Sequence, residues 1–302
     1  MKNRIFLKML KFGCFLFILP LVILPSCDGS KEDDLVDKQI DKMIDSNNIA
    51  LGVSGKVFLI PSPIQTAMLI QKSGAQFNKA MLNPTSKVSS YSTSFQKCLN
   101  LGIYGADLGY ITLYDQNQDA ISYFKATNNL ATELGLGNAF DKNLIDRFQT
   151  NLGNKDSIIS LVSMAYRSSN DFLKNNDRSK EAALVVAGGW VETLQFALSV
   201  MAVKPNEDIK RRIAEQKSTL SNLISLLAIN EGNEEYSELL QKLNDLKTEY
   251  EQVTCKYLYQ PPVLDQANKT TSIVSKSEIN ISSEAILNIG KKVASIRALI
   301  VA

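Results

Sequence analysis

Two acidic side chains stand where this sequence could do chemistry. Asp107 lies within Leu101-Gly102-Ile103-Tyr104-Gly105-Ala106-Asp107-Leu108-Gly109-Tyr110, and Glu192 interrupts an apolar run that begins at Ala182. A buried charge must be paired or neutralised, so either residue marks a ligand contact or a structural pair. On a helix, Tyr104, Asp107, Tyr110, Ile111 and Tyr114 are three or four places apart and share one broad face, while Gly102, Gly105 and Gly109 thin the backbone beside it. Such a face offers one carboxylate acceptor and three aromatic platforms to a polar or cationic small molecule. The alternative needs no ligand: the tyrosines are half-buried core residues, and each acid pairs with a Lys or Arg from a neighbouring helix.

Other chemistries are excluded by composition. With 0 histidines in 302 residues, Ser-His-Asp and Cys-His nucleophile systems, HExxH zinc sites and Glu-x-x-His di-iron sites are absent. No CxxC pair and no phosphate loop occurs, and no metal or cofactor is expected. Carboxylate pairs act without histidine in glycosidases, but two acids must then converge on a cleft, and spacing does not provide that. The chain is therefore expected not to be an enzyme. Cys98 and Cys255 form a possible disulfide, with two unpaired buried thiols as the alternative.

The elements that must position these residues are helices. From Ser179 to Val203 the chain is apolar almost all round, the signature of a buried helix, and at 1.5 Å per residue it is roughly 37 Å long. Gly188-Gly189 beside Trp190 invites a neighbouring backbone to approach closely. The competing reading, a membrane span, is weakened by Glu192, Gln195 and the two glycines. Before this central helix, periodicity predicts a short amphipathic helix over 35–46, a helix entered at Pro61-Ser62-Pro63 and stopped near Gly74, and one from about Ser90 to Asp115. Further helices are predicted over 117–134 and 139–152, and from Asp156-Ser157 toward Phe172. After it, Pro205-Asn206 opens a helical hairpin over 206–258. Its seam is Ile209, Ile213, Leu220, Leu223 and Leu227 against Tyr236, Leu239, Leu243, Leu246, Tyr250, Val253 and Tyr257, with Gln216 the one polar place. Residues 258–281 read as a connector, Ser283 to about Val301 as a final helix, and Val53 to Ile60 as one isolated strand.

The first 26 residues combine Lys2, Arg4, Lys8 and Lys11, an apolar middle from Phe12 to Ile23, and the short end Leu24-Pro25-Ser26-Cys27. This is the pattern of a secretory signal. Its end resembles the lipobox of bacterial lipoproteins, with a proline at the position that tolerates most residues. The resemblance implies a diacylglycerol on Cys27, palmitate-type acyl chains, and cleavage before that residue. Asp28-Gly29-Ser30-Lys31-Glu32-Asp33-Asp34 then reads as a solvated tether, and it also looks like the acidic signal that sends some Gram-negative lipoproteins to the outer face of the outer membrane. Of 33 basic residues, removal of the four in residues 1–26 leaves 29 against 31 acidic ones. Neither a basic excess nor a Lys/Arg stripe is left to hold nucleic acid.

The expected architecture is all-α: a multi-helix bundle of antiparallel hairpins around the central helix 179–203. It comprises a signal peptide (1–26), an acidic lipid-anchored tether (27–34) and a helical domain (35–302). The expected address is a bacterial membrane, most simply the outer membrane, facing the periplasm or the exterior. The expected role is a scaffold or interaction module for another envelope protein, with a small-molecule binding lipoprotein as the alternative.

Overall fold

Among the described residues there are nine helices, five of which pack around a sixth, and the sequence reasons for each are local. The computed structural model describes residues 49–53, 56–60, 63–137, 142–151, 153–176, 178–230, 234–265 and 269–302. They belong to a unit running from Met43 to Ala302. The signal, the lipobox, the tether and the short helix expected at 35–46 lie outside the described residues.

Helix α1 (Pro63–Lys72) begins on a proline, whose missing N–H costs nothing at a first helical position, and it ends before Gly74 at φ 72°. Helix α2 (Ser94–Leu113) starts with a reciprocal cap, in which Gln96 N–H donates to Thr93 Oγ1 and Thr93 N–H to Gln96 Oε1. Then come α3 (Asn117–Glu133), α4 (Lys142–Thr150), α5 (Lys155–Asn175) and α6 (Ser179–Val203). Asn154 rather than Asp156 caps α5, its Oδ1 accepting from Ser157 N–H. The chain continues with α7 (Glu207–Leu227), capped by Asn206, then α8 (Glu234–Tyr250) and α9 (Ser283–Ile300), capped by Ser282.

The fold is the all-α bundle of helical hairpins expected, and α6 is its central helix. It packs against α1, α2, α5, α7 and α9. By length and composition α6 would suffice to cross a membrane, but 83% of its most apolar window is buried inside the protein. The α2–α6 crossing brings backbone against backbone. A Cβ added at Gly188 would lie 1.9 Å from the Leu99 carbonyl oxygen, and one at Gly102 would lie 2.0 Å from that of Val185. Glycine at both positions is what permits this approach. Beside it Trp190 donates its indole N–H to Gln216 Oε1 at 2.9 Å, which explains the single polar place in the α7 seam.

Three expectations about secondary structure need correction. The run taken as one strand ending at Ile60 is two: β1 (Ile49–Val53) pairs antiparallel with β2 (Lys56–Ile60), Val53 facing Lys56. Helix α8 stops at Tyr250, so Tyr257 is not on it. Val253 is buried at the right interval by a different route, and its carbonyl accepts from Lys217 Nζ at 2.7 Å. The supposed connector is a two-stage β-arm. Strand β3 (Thr254–Leu258) pairs antiparallel with β6 (Lys276–Asn280), and β4 (Val263–Asp265) with β5 (Thr270–Ser272). Between the stages Ser275 Oγ bridges the backbone N–H and carbonyl of Gln260, each at 3.0 Å.

The helical hairpin is packed into the bundle. Its seam residues Ile213, Leu220, Leu223, Leu243, Leu246 and Tyr250 are at 0% exposure, and α7 and α8 pack further against α6 and α9.

Candidate functional site

The α2–α6 crossing places Asp107 and Glu192 in the core, both at 0% exposure. Arg297 of α9 reaches Glu192 with two parallel bonds, Nε to Oε2 at 2.5 Å and Nη2 to Oε1 at 2.7 Å, and its Nη2 also donates to the Met81 carbonyl at 3.0 Å. This fork satisfies both Glu192 oxygens in the geometry that arginine offers and lysine does not. Asp107 has no such cation to itself. Its Oδ2 accepts from Asn83 N–H at 3.1 Å, and its Oδ1 is buried with no donor to accept from among the described residues.

Electrostatics resolves the odd oxygen. Burial first, and then the neighbouring Glu192 charge, hold the Asp107 carboxyl well above the usual aspartate range. Burial also raises Glu192, against which the Arg297 bonds work. One cation stands beside two acids, so the low-cost state has one negative charge and one retained proton. We place the proton on Asp107, which then donates to Glu192, while Glu192 stays ionised against Arg297.

The rest of the expected ligand face is present but occupied. Tyr104 OH donates to the Pro84 carbonyl at 2.8 Å, Asp107 accepts from Asn83 N–H, Tyr110 OH accepts from Asn78 N–H at 3.0 Å, and Tyr114 OH donates to the Ala75 carbonyl at 2.8 Å. Three residues on α2 and its C-cap Tyr114, at helical spacing, thus hold, in antiparallel order, the backbone of residues 75–84. That segment has only short 3-10 turns at Lys79–Met81 and Thr85–Ser90, so its polar groups need partners from elsewhere. The open cleft expected around Tyr104, Asp107 and Tyr110 is therefore filled by the chain itself. Tyr104 and Tyr110 are at 0% exposure, and only Tyr114 is half-buried. Burial raises the phenol pKa of Tyr104 and Tyr110, and that of Tyr114 to about 12, so none of the three ionises near neutrality.

Around this strip the network extends to the end of the chain. Asn83, wholly buried, donates from Nδ2 to Tyr91 OH at 3.0 Å and to Asn100 Oδ1 at 3.3 Å. Asn100 Nδ2 donates to the Ile300 carbonyl at 2.8 Å and Lys87 Nζ to that of Val301 at 2.5 Å, so side chains close the free carbonyls at the end of α9. The sequence reading missed Arg297, Asn83 and Asn100. Arg297 carried a signal, as the one charge in Val293-Ala294-Ser295-Ile296-Arg297-Ala298-Leu299-Ile300. A lone cation in an apolar helix end is the counterpart of two lone acids elsewhere.

Cys98 is a free thiol at 0% exposure, so the structure holds no bridge from it to Cys255, which sits on β3 opposite Ile279. Burial pushes the Cys98 thiol up to about 12, which keeps it inert as a nucleophile. No group of three or more metal-capable His, Cys, Asp or Glu side chains occurs among the described residues. A cavity of about 30 Å³ beside Leu101, Phe124, Phe148 and Val162 has room for little more than a water molecule.

The remaining unusual surface is the β-arm. Tyr257, Tyr259, Val263, Leu264 and Ile273 are all more than half exposed, Ile273 at 82%, and every residue of β5 is exposed. Compared with protein-family models, with curated proteins and with solved structures, the chain gives no match.

Proposed function

We propose that this chain is a lipid-anchored interaction module of the bacterial cell envelope, tethered through Cys27, with the β-arm as its contacting element. The observation that carries the reading is the concentration of exposed apolar side chains, Tyr257, Tyr259, Val263, Leu264 and Ile273, along an arm of two successive antiparallel strand pairs. Isolated two-stranded ribbons are marginal in water, and contiguous exposed apolar surface marks interaction sites. The helical hairpin has its seam buried and packs against α6 and α9, which leaves the arm as the more exposed apolar element. The acids with a potential for catalysis are committed to Arg297 and to the 75–84 backbone, which favours binding over turnover. Residues 1–26 and the lipobox support the address, and the acidic tether supports the outer membrane.

The test compares the full chain with its Leu264→Asp/Ile273→Asp variant, each purified from its own envelope in mild detergent. The expected result is a protein retained by the parent and lost by the variant at unchanged melting temperature. Equal retention by both removes the arm from the reading. In the same cells Cys27→Ala should release the chain from the membrane fraction, because the lipid is the anchor. Unchanged fractionation, with no lipid mass on the amino terminus, would sink the address.

A further inference from the structure

Apart from the arm, the structure has a groove of about 450 Å³ between the segment after α1 and the C-terminal end of α6, lined by Ala75, Phe77, Met81, Val200, Val203 and Lys204 among others. The volume is in the range that holds small organic molecules. Its wall is built in advance. Phe77 stacks on Tyr110 at 5.4 Å between ring centroids and leans on Tyr114 at 5.7 Å. Both tyrosines bond the backbone that carries Phe77, through Asn78 N–H and the Ala75 carbonyl. A ligand entering here would spend little on ordering the site. At the rim Val203 is 87% exposed, an apolar side chain that the fold leaves uncovered.

The groove's one charged side chain is an ammonium, with Gln76, Asn78 and Ser199 the neutral polar residues of its lining. Lys204 Nζ donates to the carbonyls of Ser73 at 3.0 Å and Gly74 at 3.2 Å. It forms no ion pair among those found in the described residues. An ammonium has three donors, so one remains beyond the two carbonyls. Gly74 has φ 72°, and a Cβ there would come within 3.2 Å of Nζ, so glycine both makes the turn and leaves the lysine its place. The end of α6 contributes about half a negative charge, which the full charge of Lys204 exceeds. The local sign is positive.

We infer that this groove binds a small molecule with an apolar, preferably aromatic, body and a single carboxylate, the body lying against Phe77 and Val203 and the carboxylate accepting from Lys204 Nζ. This site does not depend on the β-arm and stands if the arm has no partner. The experiment titrates 2-naphthoate, and its neutral isostere 2-naphthamide, into the full chain in mild detergent, with protein-free detergent as reference. Saturable binding of 2-naphthoate is expected, with 2-naphthamide weaker by about fivefold, the size of one partly exposed charge pair. Lys204→Gln should lose that preference and Val203→Asp should weaken the carboxylate by at least as much. Leu264→Asp/Ile273→Asp should change nothing. Should Lys204→Gln melt early, Val203→Asp, fully at the rim, carries the comparison. Absence of saturable binding, equal affinity for acid and amide, or undiminished binding by Val203→Asp overturns the inference.

Discussion

Asp107 and Glu192 are neighbours with the same chemistry, yet replacing each carboxyl by its amide should give opposite results. In Asp107→Asn the carbonyl oxygen keeps the acceptor for Asn83 N–H, and the amide NH₂ takes the place of the unpartnered Oδ1 to which the proton is assigned. The fork of Arg297 on Glu192 is untouched and no second acid is left to ionise beside it, so the variant should be at least as stable as the parent at pH 7. In Glu192→Gln the guanidinium of Arg297 loses the carboxylate on which two of its bonds close. Breaking one side of a buried ion pair costs roughly 3 to 5 kcal/mol. At about 2 to 4 °C per kcal/mol for a chain of this size, the melting temperature should fall by roughly 6 to 20 °C.

The pH dependence separates the two further. Both acids have raised pKa values in the fold. As pH rises above the ordinary aspartate range, the unfolded chain releases a proton that the fold retains. Stability is therefore full at low pH and falls as pH climbs toward the folded pKa, by at most about 1.4 kcal/mol per pH unit for each group. With 0 histidines, no imidazole titration overlies this slope between pH 5 and 8. Calorimetric melts at pH 5, 6, 7 and 8 should show Asp107→Asn gaining on the parent at each step. A variant that melts several degrees lower at pH 7, or that follows the parent's slope unchanged, would falsify the assignment of the proton to Asp107.

Two other substitutions examine the packing. Gly188→Ala puts a methyl 1.9 Å from the Leu99 carbonyl oxygen, where backbone and not a flexible side chain must give way. It should cost about 3 kcal/mol, the upper part of the overpacking range, and a denaturant melt within 0.5 kcal/mol of the parent, as an order-of-magnitude threshold, would show that α2 and α6 are not in backbone contact. Leu243→Ala, at 0% exposure in the α8 seam, should cost roughly 2 to 4 kcal/mol, whereas Glu238→Ala on the exposed face of the same helix should cost under about 0.5. Equal losses in the two melts would mean that the faces of the hairpin are wrongly assigned.

The helices were legible because their burial is one-sided or complete, and both leave a period in the sequence. Helix α6 was read to the residue at both ends, and α9 to within one, because the apolar run of α6 stops just before Pro205 and the Asn206 cap of α7, and that of α9 opens on the Ser282 cap. Where burial is absent the signal is absent. The β-arm buries no continuous face, so Tyr257 was assigned to the preceding helix and residues 258–281 to a connector. The strip on α2 was legible as a recognition face, since Tyr104, Asp107, Tyr110 and Tyr114 do bond one partner along their helical row. What side-chain spacing does not encode is who that partner is. Residues 75–84 have no periodicity to advertise that they come back over α2.

That partnership determines how the arm is held. Helices α8 and α9 bracket the arm, and α9 is fixed at its far end by Arg297 on Glu192 and by Asn100 and Lys87 on its last carbonyls. Apolar packing alone would let α9 slide along α6 and α8 at small cost, because Ile289, Val293, Ile296 and Ile300 are similar in shape and interchangeable in register. A fork of two charged bonds into the core has one register. Any one-turn slip leaves Glu192 buried and alone, at several kcal/mol. A proton on Asp107, as its raised pKa favours, makes this fork compatible with a second acid at the same crossing. The acids that looked like a ligand site thus fix the position of the helix from which the exposed ribbon springs, and a ribbon with little stability of its own needs such a fixed base if it is to present Leu264 and Ile273 to a partner in one orientation.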